Sequence, residues 1–182
     1  MRTHRLTAYA FAACLVSLLA GTVMADDGNG NSNVFLKGKY RHSGSISCAT
    51  GDTPESIGSG PLQHITFTGI TIYDGRGTAT VKERGIIVSS SIPPSSFEDD
   101  CSGPYHVNRN GSIRRESICT GADGSYKLSG IRWKGQLGVE GSVVDLSSAE
   151  LVVQKLEAPA EYPTFTQYRI CGGLETEVRI QP

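Results

Sequence analysis

The stretch 101–119 reads CSGPYHVNRNGSIRRESIC and predicts a β-hairpin. Strand-forming residues lie on both sides of an Asn-x-x-Gly turn that begins at Asn108. The asparagine accepts backbone hydrogen bonds where the turn starts, and the glycine supplies a left-handed backbone conformation where it closes. If Asn108 faces Ser112 across a three-residue loop, Cys101 falls opposite Cys119. Four cysteines allow three connectivities, and this register favours a Cys101–Cys119 disulfide.

A second turn of the same kind, Asp-x-x-Gly, begins 34 residues earlier at Asp74. Most of the chain is rich in Thr, Val, Ile, Tyr, Ser and Gly, with regular turn residues and no sustained helical period. We expect strands near residues 36–48, 63–73, 78–90, 103–108, 111–119, 125–138, 149–157 and 165–180. The segment 89–100, which includes two prolines, predicts a long loop at one mouth of the domain.

The remaining cysteines indicate how the sheet closes. With Cys101 and Cys119 paired, Cys48 and Cys171 are left to bridge the first strand to the last. Neighbouring first and last strands are typical of a closed barrel, although a β-sandwich could also bring them together. We therefore predict an all-β, antiparallel up-and-down barrel of about eight strands with two disulfides. No Cys-x-x-Cys spacing or His pair is present, so we expect no metal site.

The N-terminal residues predict a signal peptide. Arg2 and Arg5 precede an apolar run, and small residues lead to Ala25, so we expect cleavage after Ala25 and a secreted or periplasmic protein. The alternative, a membrane anchor, needs a longer run of about 20 apolar residues. We divide the chain into a signal peptide (1–25), a flexible lead-in (26–34) and a single barrel domain (35–182).

The mature charge argues against some partners. The chain has 17 basic and 18 acidic residues, and the signal peptide takes two arginines with it, which leaves a net charge of −3. A mildly acidic chain lacks the basic surface that nucleic acid requires. We also expect no membrane span in the mature chain.

Several segments resemble small exported bacterial β-barrel proteins of lipocalin-like (calycin) type. They are Gly38-Lys39-Tyr40 with Cys48 in the first strand, the two turns, and Tyr168-Arg169-Ile170-Cys171 in the last strand. Tyr40 stands where lipocalins carry the tryptophan of their Gly-x-Trp motif. The resemblance implies a barrel that binds a small apolar ligand.

Three residues are candidates for ligand binding. Tyr40 and His42 share one face of the first strand, which we expect to be the inward face, and Arg169 belongs to the last strand. Together they would suit a carboxylate or phenolate head group. The alternatives are a buried histidine bonded to a neighbour, and an arginine packed over Tyr40 as a structural plug.

We find no catalytic motif and expect no cofactor. The favoured function is non-enzymatic binding of a small hydrophobic or amphipathic ligand inside the barrel. One alternative is a structural or interaction module that contacts a protein or surface through its loops, above all 89–100. A lipid-directed isomerase or cyclase is a third, which would need a polar cluster inside the barrel.

Overall fold

The protein is described by a computed structural model over residues 32–148, 151–158 and 165–181. The predicted signal peptide, 1–25, lies outside the described residues. The strands are β1 (Lys37–Gly51), β2 (Gln63–Asp74), β3 (Thr78–Ser89), β4 (Ser95–Val107), β5 (Ser112–Gly121), β6 (Lys127–Leu137), β7 (Val143–Ser147), β8 (Val153–Glu157) and β9 (Thr166–Gln181). Short 3-10 helices lie at Ser32–Phe35, Pro54–Ser56 and Val139–Gly141.

The strands form one closed antiparallel barrel, as the sequence predicts. Consecutive strands pair from β1 to β6, and β1 also pairs with β9, which closes the sheet. Strands β7 and β8 both lie between β6 and β9. β7 pairs with β6 at 134–137, whereas β8 pairs with it at 127–129. Together these two short strands fill the eighth position of the barrel.

Both predicted disulfides are present. Cys101 lies opposite Cys119 in the β4–β5 ladder, and the turn between them places Tyr105 opposite Arg115 as the Asn-x-x-Gly geometry requires. Cys48 lies opposite Cys171 where β1 meets β9. The second bridge therefore holds the seam at which the barrel closes.

The expected long loop at 89–100 is wrong. β4 begins at Ser95, so the β3–β4 connection contains only residues 90–94. The side chains of Phe97, Asp99 and Cys101 alternate toward the interior and are at least partly buried. This strand carries acidic and serine residues on its outward face, a composition that resembles a loop.

A layer of tyrosines closes one end of the barrel. The rings of Tyr40 and Tyr105 each meet Tyr73 edge to face, with centroids 5.4 and 4.9 Å from it. Tyr105 donates a hydrogen bond to the carbonyl of Leu36 at 2.7 Å. The 3-10 helix Ser32–Phe35 lies against this layer. It is anchored by Asn33, whose side chain accepts a hydrogen bond from the backbone N–H of Val107.

The helix Ser32–Phe35 overlaps the end of the expected lead-in. Of the segment 26–34, residues 32–34 belong to this 3-10 helix, and Ser32 and Asn33 are buried. The bond from Asn33 to the β4 backbone fixes them, a long-range contact that composition does not reveal.

Candidate functional site

The barrel encloses a cavity of about 300 Å³ at the disulfide-bonded half of the molecule. Most of its wall is apolar. The apolar lining comprises Ile46, Ile65, Phe67, Val81, Ile87, Phe97, Leu128, Ile131, Trp133 and Leu156, together with the half-cystines Cys101, Cys119 and Cys171. Charged and polar side chains, Arg115 and Arg169 among them, interrupt this surface. Such a lining suits an organic molecule with an apolar body and a polar end.

A buried polar cluster lies between the cavity and the tyrosine layer. We use this name for His42, Thr71, Arg115, Glu175 and Glu177, which point inward from β1, β2, β5 and β9. The Arg115 guanidinium donates to Glu175 at 2.7 Å and to Glu177 at 2.5 Å. The side chains of these three residues are at most 3% exposed, so the ion pairs are shielded from solvent.

Two carboxylates share this one arginine. Burial raises the pKa of Glu175 well above its usual range, an effect that the positive charge of Arg115 opposes and the charge of Glu177 reinforces. Burial by itself would lower the pKa of Arg115, but its carboxylate neighbours raise it, so the guanidinium stays charged. The Glu175 carboxyl group therefore retains its proton more readily than an exposed glutamate would.

Thr71 links the carboxylates to His42. Its hydroxyl donates to Glu177 Oε1 at 3.0 Å, and Oγ1 also lies 3.0 Å from His42 Nδ1. Because the hydroxyl proton is used on Glu177, His42 must donate through Nδ1, which leaves Nε2 as the other functional atom of the ring. Nε2 lies 3.5 Å from Glu83 Oε2.

A glycine makes room for this histidine. Gly69 lies opposite His42 in the β1–β2 ladder. A Cβ at this position would approach His42 Cε1 to 2.8 Å and the carbonyl oxygen of Lys82 to 2.1 Å. Any other residue would therefore displace the imidazole or the backbone of β3.

Arg169 lies on the cavity wall, away from the polar cluster. Its Nε donates to the side-chain oxygen of Gln154 at 2.9 Å, and it forms no ion pair with any residue that the structure describes. Burial lowers the pKa of Arg169 to about 10, although the charge of Asp99 opposes that change. Burial likewise raises the pKa of Asp99 to about 6, against the hydrogen bond that it accepts from Tyr126.

The structure brings two of the three predicted ligand-binding residues together. Tyr40 and His42 both point inward and are fully buried, as expected. Arg169, however, lies opposite Thr50, ten residues along β1 from Tyr40, or about 30 Å at the usual rise of a strand. The expected contact of Arg169 with Tyr40 and His42 is therefore wrong.

A different arginine packs on Tyr40. Arg179 donates from Nε to the Tyr40 hydroxyl at 2.8 Å, and its guanidinium carbon lies 5.3 Å from the ring centroid. Tyr40 in turn donates to the carbonyl of Gly141. The structural plug that the sequence suggested for Arg169 is thus formed by Arg179 at the closed end.

Sequence reasoning missed Arg115, Glu175 and Glu177. A signal for the two glutamates existed, because the Cys48–Cys171 bridge fixes the register of β1 against β9. Counting back from that bridge places His42 opposite Glu177, as observed. Arg115 is four residues from Cys119 on β5, so its side chain points inward like that of Cys119, whose orientation the hairpin register fixes.

Within the part of the chain that the structure describes, two groups of side chains have metal-ligand composition. One contains Glu83, Asp99, Cys101 and Cys119, but its cysteines are joined as a disulfide and offer no thiolate. The other contains His42, Glu175 and Glu177, where one donor atom of each residue lies within 4.8 Å of those of the other two.

Comparison with known proteins gives no match from which a role for the site could be inferred. None of the helices within the described residues is long and apolar enough to cross a bilayer. No protein-family model, curated protein or solved structure matches this chain.

Proposed function

We propose that this protein is an exported, lipocalin-like barrel that binds a small amphipathic molecule non-enzymatically. The observation that carries the proposal is the cavity of about 300 Å³ with its largely apolar wall. This volume is at the lower end of ligand pockets, which span about 300–1,000 Å³. It suits a compact ring system or a medium-length acyl chain better than a large lipid.

The polar end of the ligand is expected at Arg169. Arg169 is a buried cation without an ion-pair partner among the described residues, and the charge of Asp99 offsets its burial only in part, so an anionic group entering the cavity would compensate it further. Gln154 holds Nε of this arginine and so orients the side chain. A carboxylate head group therefore fits the cavity best, with its hydrocarbon part against Phe67 and Trp133.

The two disulfides support export. Paired cysteines persist in oxidising compartments and are rare in the cytosol. The basic and apolar residues that precede Ala25 point the same way.

Intrinsic fluorescence offers a direct binding assay. Trp133 is the sole tryptophan of the chain and lines the cavity. Titration with dodecanoate should change its emission saturably. Ser117→Phe, which fills the cavity from β5, should abolish the change, whereas Ser102→Phe on the exposed face of β4 should not. An unchanged titration in folded Ser117→Phe would contradict binding in the cavity.

The head group can be tested separately. Arg169→Met should weaken dodecanoate binding by about 10- to 100-fold, the usual effect of losing a charge-assisted hydrogen bond. Binding of dodecan-1-ol should change much less. Arg132→Met provides the matched control, because Arg132 also lines the cavity but is half-exposed and pairs with Glu116. Equal losses for both lipids in Arg169→Met would contradict the assigned head-group site.

A further inference from the structure

The polar cluster contains four buried atoms that form no hydrogen bond with any described residue, although His42 Nε2 lies within ion-pair distance of Glu83 Oε2. They are His42 Nε2, Arg115 Nε, Glu175 Oε1 and Glu177 Oε2. Buried polar atoms nearly always have partners, because losing hydration without compensation is unfavourable. Their concentration in one cluster points to a bonding partner that the chain itself does not supply.

Each of the three potential ligands in this set is already oriented through its other donor atom. His42 is held at Nδ1 by Thr71, Glu175 at Oε2 by Arg115, and Glu177 at Oε1 by both. Metal-binding histidines and carboxylates characteristically have such outer partners, which fix the tautomer and the ring or carboxylate orientation. The atoms left over are one imidazole nitrogen and two carboxylate oxygens.

The charge of the surroundings favours a cation. Arg115 contributes one positive charge, and Glu175, Glu177 and the nearby Glu83 contribute three negative charges when ionised. The balance of two negative charges matches one divalent ion.

We propose that His42 Nε2, Glu175 Oε1 and Glu177 Oε2 bind a divalent transition-metal ion, with Zn²⁺ the member that fits best. One imidazole and two carboxylates form a borderline N/O donor set, which suits Zn²⁺ better than Mg²⁺ or Ca²⁺. One donor atom of each of these residues lies within 4.8 Å of those of the other two, so the three side chains are close enough to share one ion after side-chain rotation.

Glu83 is placed to act as a fourth ligand. Its Oε2 lies 3.5 Å from His42 Nε2. Two ligands on one tetrahedral ion, with bonds of about 2.0–2.2 Å, are separated by about 3.3–3.5 Å. Glu83 also lines the cavity and is partly exposed, so it gives an ion a route to the site. This metal site is independent of the proposed carrier function.

Zinc binding by the purified, metal-free protein tests the proposal. Calorimetry with Zn²⁺ should show one ion per chain, and His42→Gln should weaken binding by at least about 100-fold. His64→Gln is the matched control, because His64 is exposed and its side chain contacts Ser47 on the outside of the barrel. Thr71→Val, which removes no ligand, should weaken binding by about 10- to 100-fold through the loss of orientation.

A second measurement keeps the proposal testable if His42→Gln does not fold. Co²⁺ added to the wild-type protein should give the intense visible absorption of a four-coordinate ion, and Zn²⁺ should displace it. No binding at one equivalent would overturn the proposal and leave protons and water as the partners of the cluster. A stronger effect of His64→Gln than of His42→Gln, or tighter binding of Mg²⁺ or Ca²⁺ than of Zn²⁺, would also overturn it.

Discussion

Removal of Arg115 should reveal how strongly the polar cluster depends on charge balance. Arg115→Met keeps the length and apolar stem of the side chain but leaves two carboxylates, at most 1% exposed, without their cation. Breaking a buried pair by removing one partner destabilises a protein by about 3–5 kcal/mol. Since single domains are stable by only about 5–15 kcal/mol, this loss is a large part of the total.

The same reasoning predicts that removing the two carboxylates restores the stability lost in Arg115→Met. Adding Glu175→Gln and Glu177→Gln to Arg115→Met removes the uncompensated charges, and this triple variant should regain most of the loss. Urea unfolding at pH 8 in the presence of a chelator, monitored by circular dichroism, would measure the free energy of unfolding of the wild type, of Arg115→Met and of the triple variant. Arg114→Met is the control, because Arg114 is the exposed neighbour on the same strand and should change stability by less than about 0.5 kcal/mol.

The pH dependence has a defined sign. Burial already raises the pKa of Glu175 in the presence of Arg115, so without the arginine the folded state should hold the proton on Glu175 more tightly still. The Arg115→Met loss should therefore be smaller at pH 5 than at pH 8. A loss below about 1 kcal/mol at pH 8, or a triple variant no more stable than Arg115→Met, would refute the reasoning.

Two further predictions concern the barrel wall. Replacing Cys48 and Cys171 with serine should cost about 5 kcal/mol and replacing Cys101 and Cys119 about 3 kcal/mol, because the bridges span 123 and 18 residues; urea unfolding that gave the reverse order would contradict this. Asp99, with its pKa raised from 3.8 to about 6, holds its proton more tightly when folded. Its contribution of about 3 kcal/mol is present below about pH 4 and lost as pH rises through about 6. Asp99→Asn should remove this fall from the pH profile of the unfolding free energy, and an unchanged profile would count against the assignment.

The barrel and its disulfides could be predicted because they depend on local rules. The turn at Asn108 fixes one strand register, and that register alone pairs Cys101 with Cys119. The second bridge then follows by elimination and closes the sheet. Strand β4 was missed at its start because the outward residues of 95–100 are polar, and composition outweighed the inward alternation of Phe97 and Asp99.

The candidate site was harder to predict because it depends on register across the seam. Alternation correctly turned Tyr40 and His42 inward, but alternation alone does not give their partners on β9; those follow only when residues are counted back from the predicted Cys48–Cys171 bridge. An error in register moved the expected cationic partner from Arg179 to Arg169, which lies at the other end of the barrel. The ionic bonds of Arg115 join β5 to β9 across the interior, and no local sequence pattern encodes a contact between strands that are not neighbours in the sheet.

Native mass spectrometry of the protein purified from its own host tests the central claim, that the cavity carries a small organic ligand. Spectra would be recorded before and after denaturation, with a chelator present so that a metal ion does not contribute. We predict a defined additional mass that disappears on denaturation and is missing from Ser117→Phe. The account would be contradicted by two results together: the native spectrum shows only the mass of the bare chain, and the same protein shows no saturable change of Trp133 emission with dodecanoate.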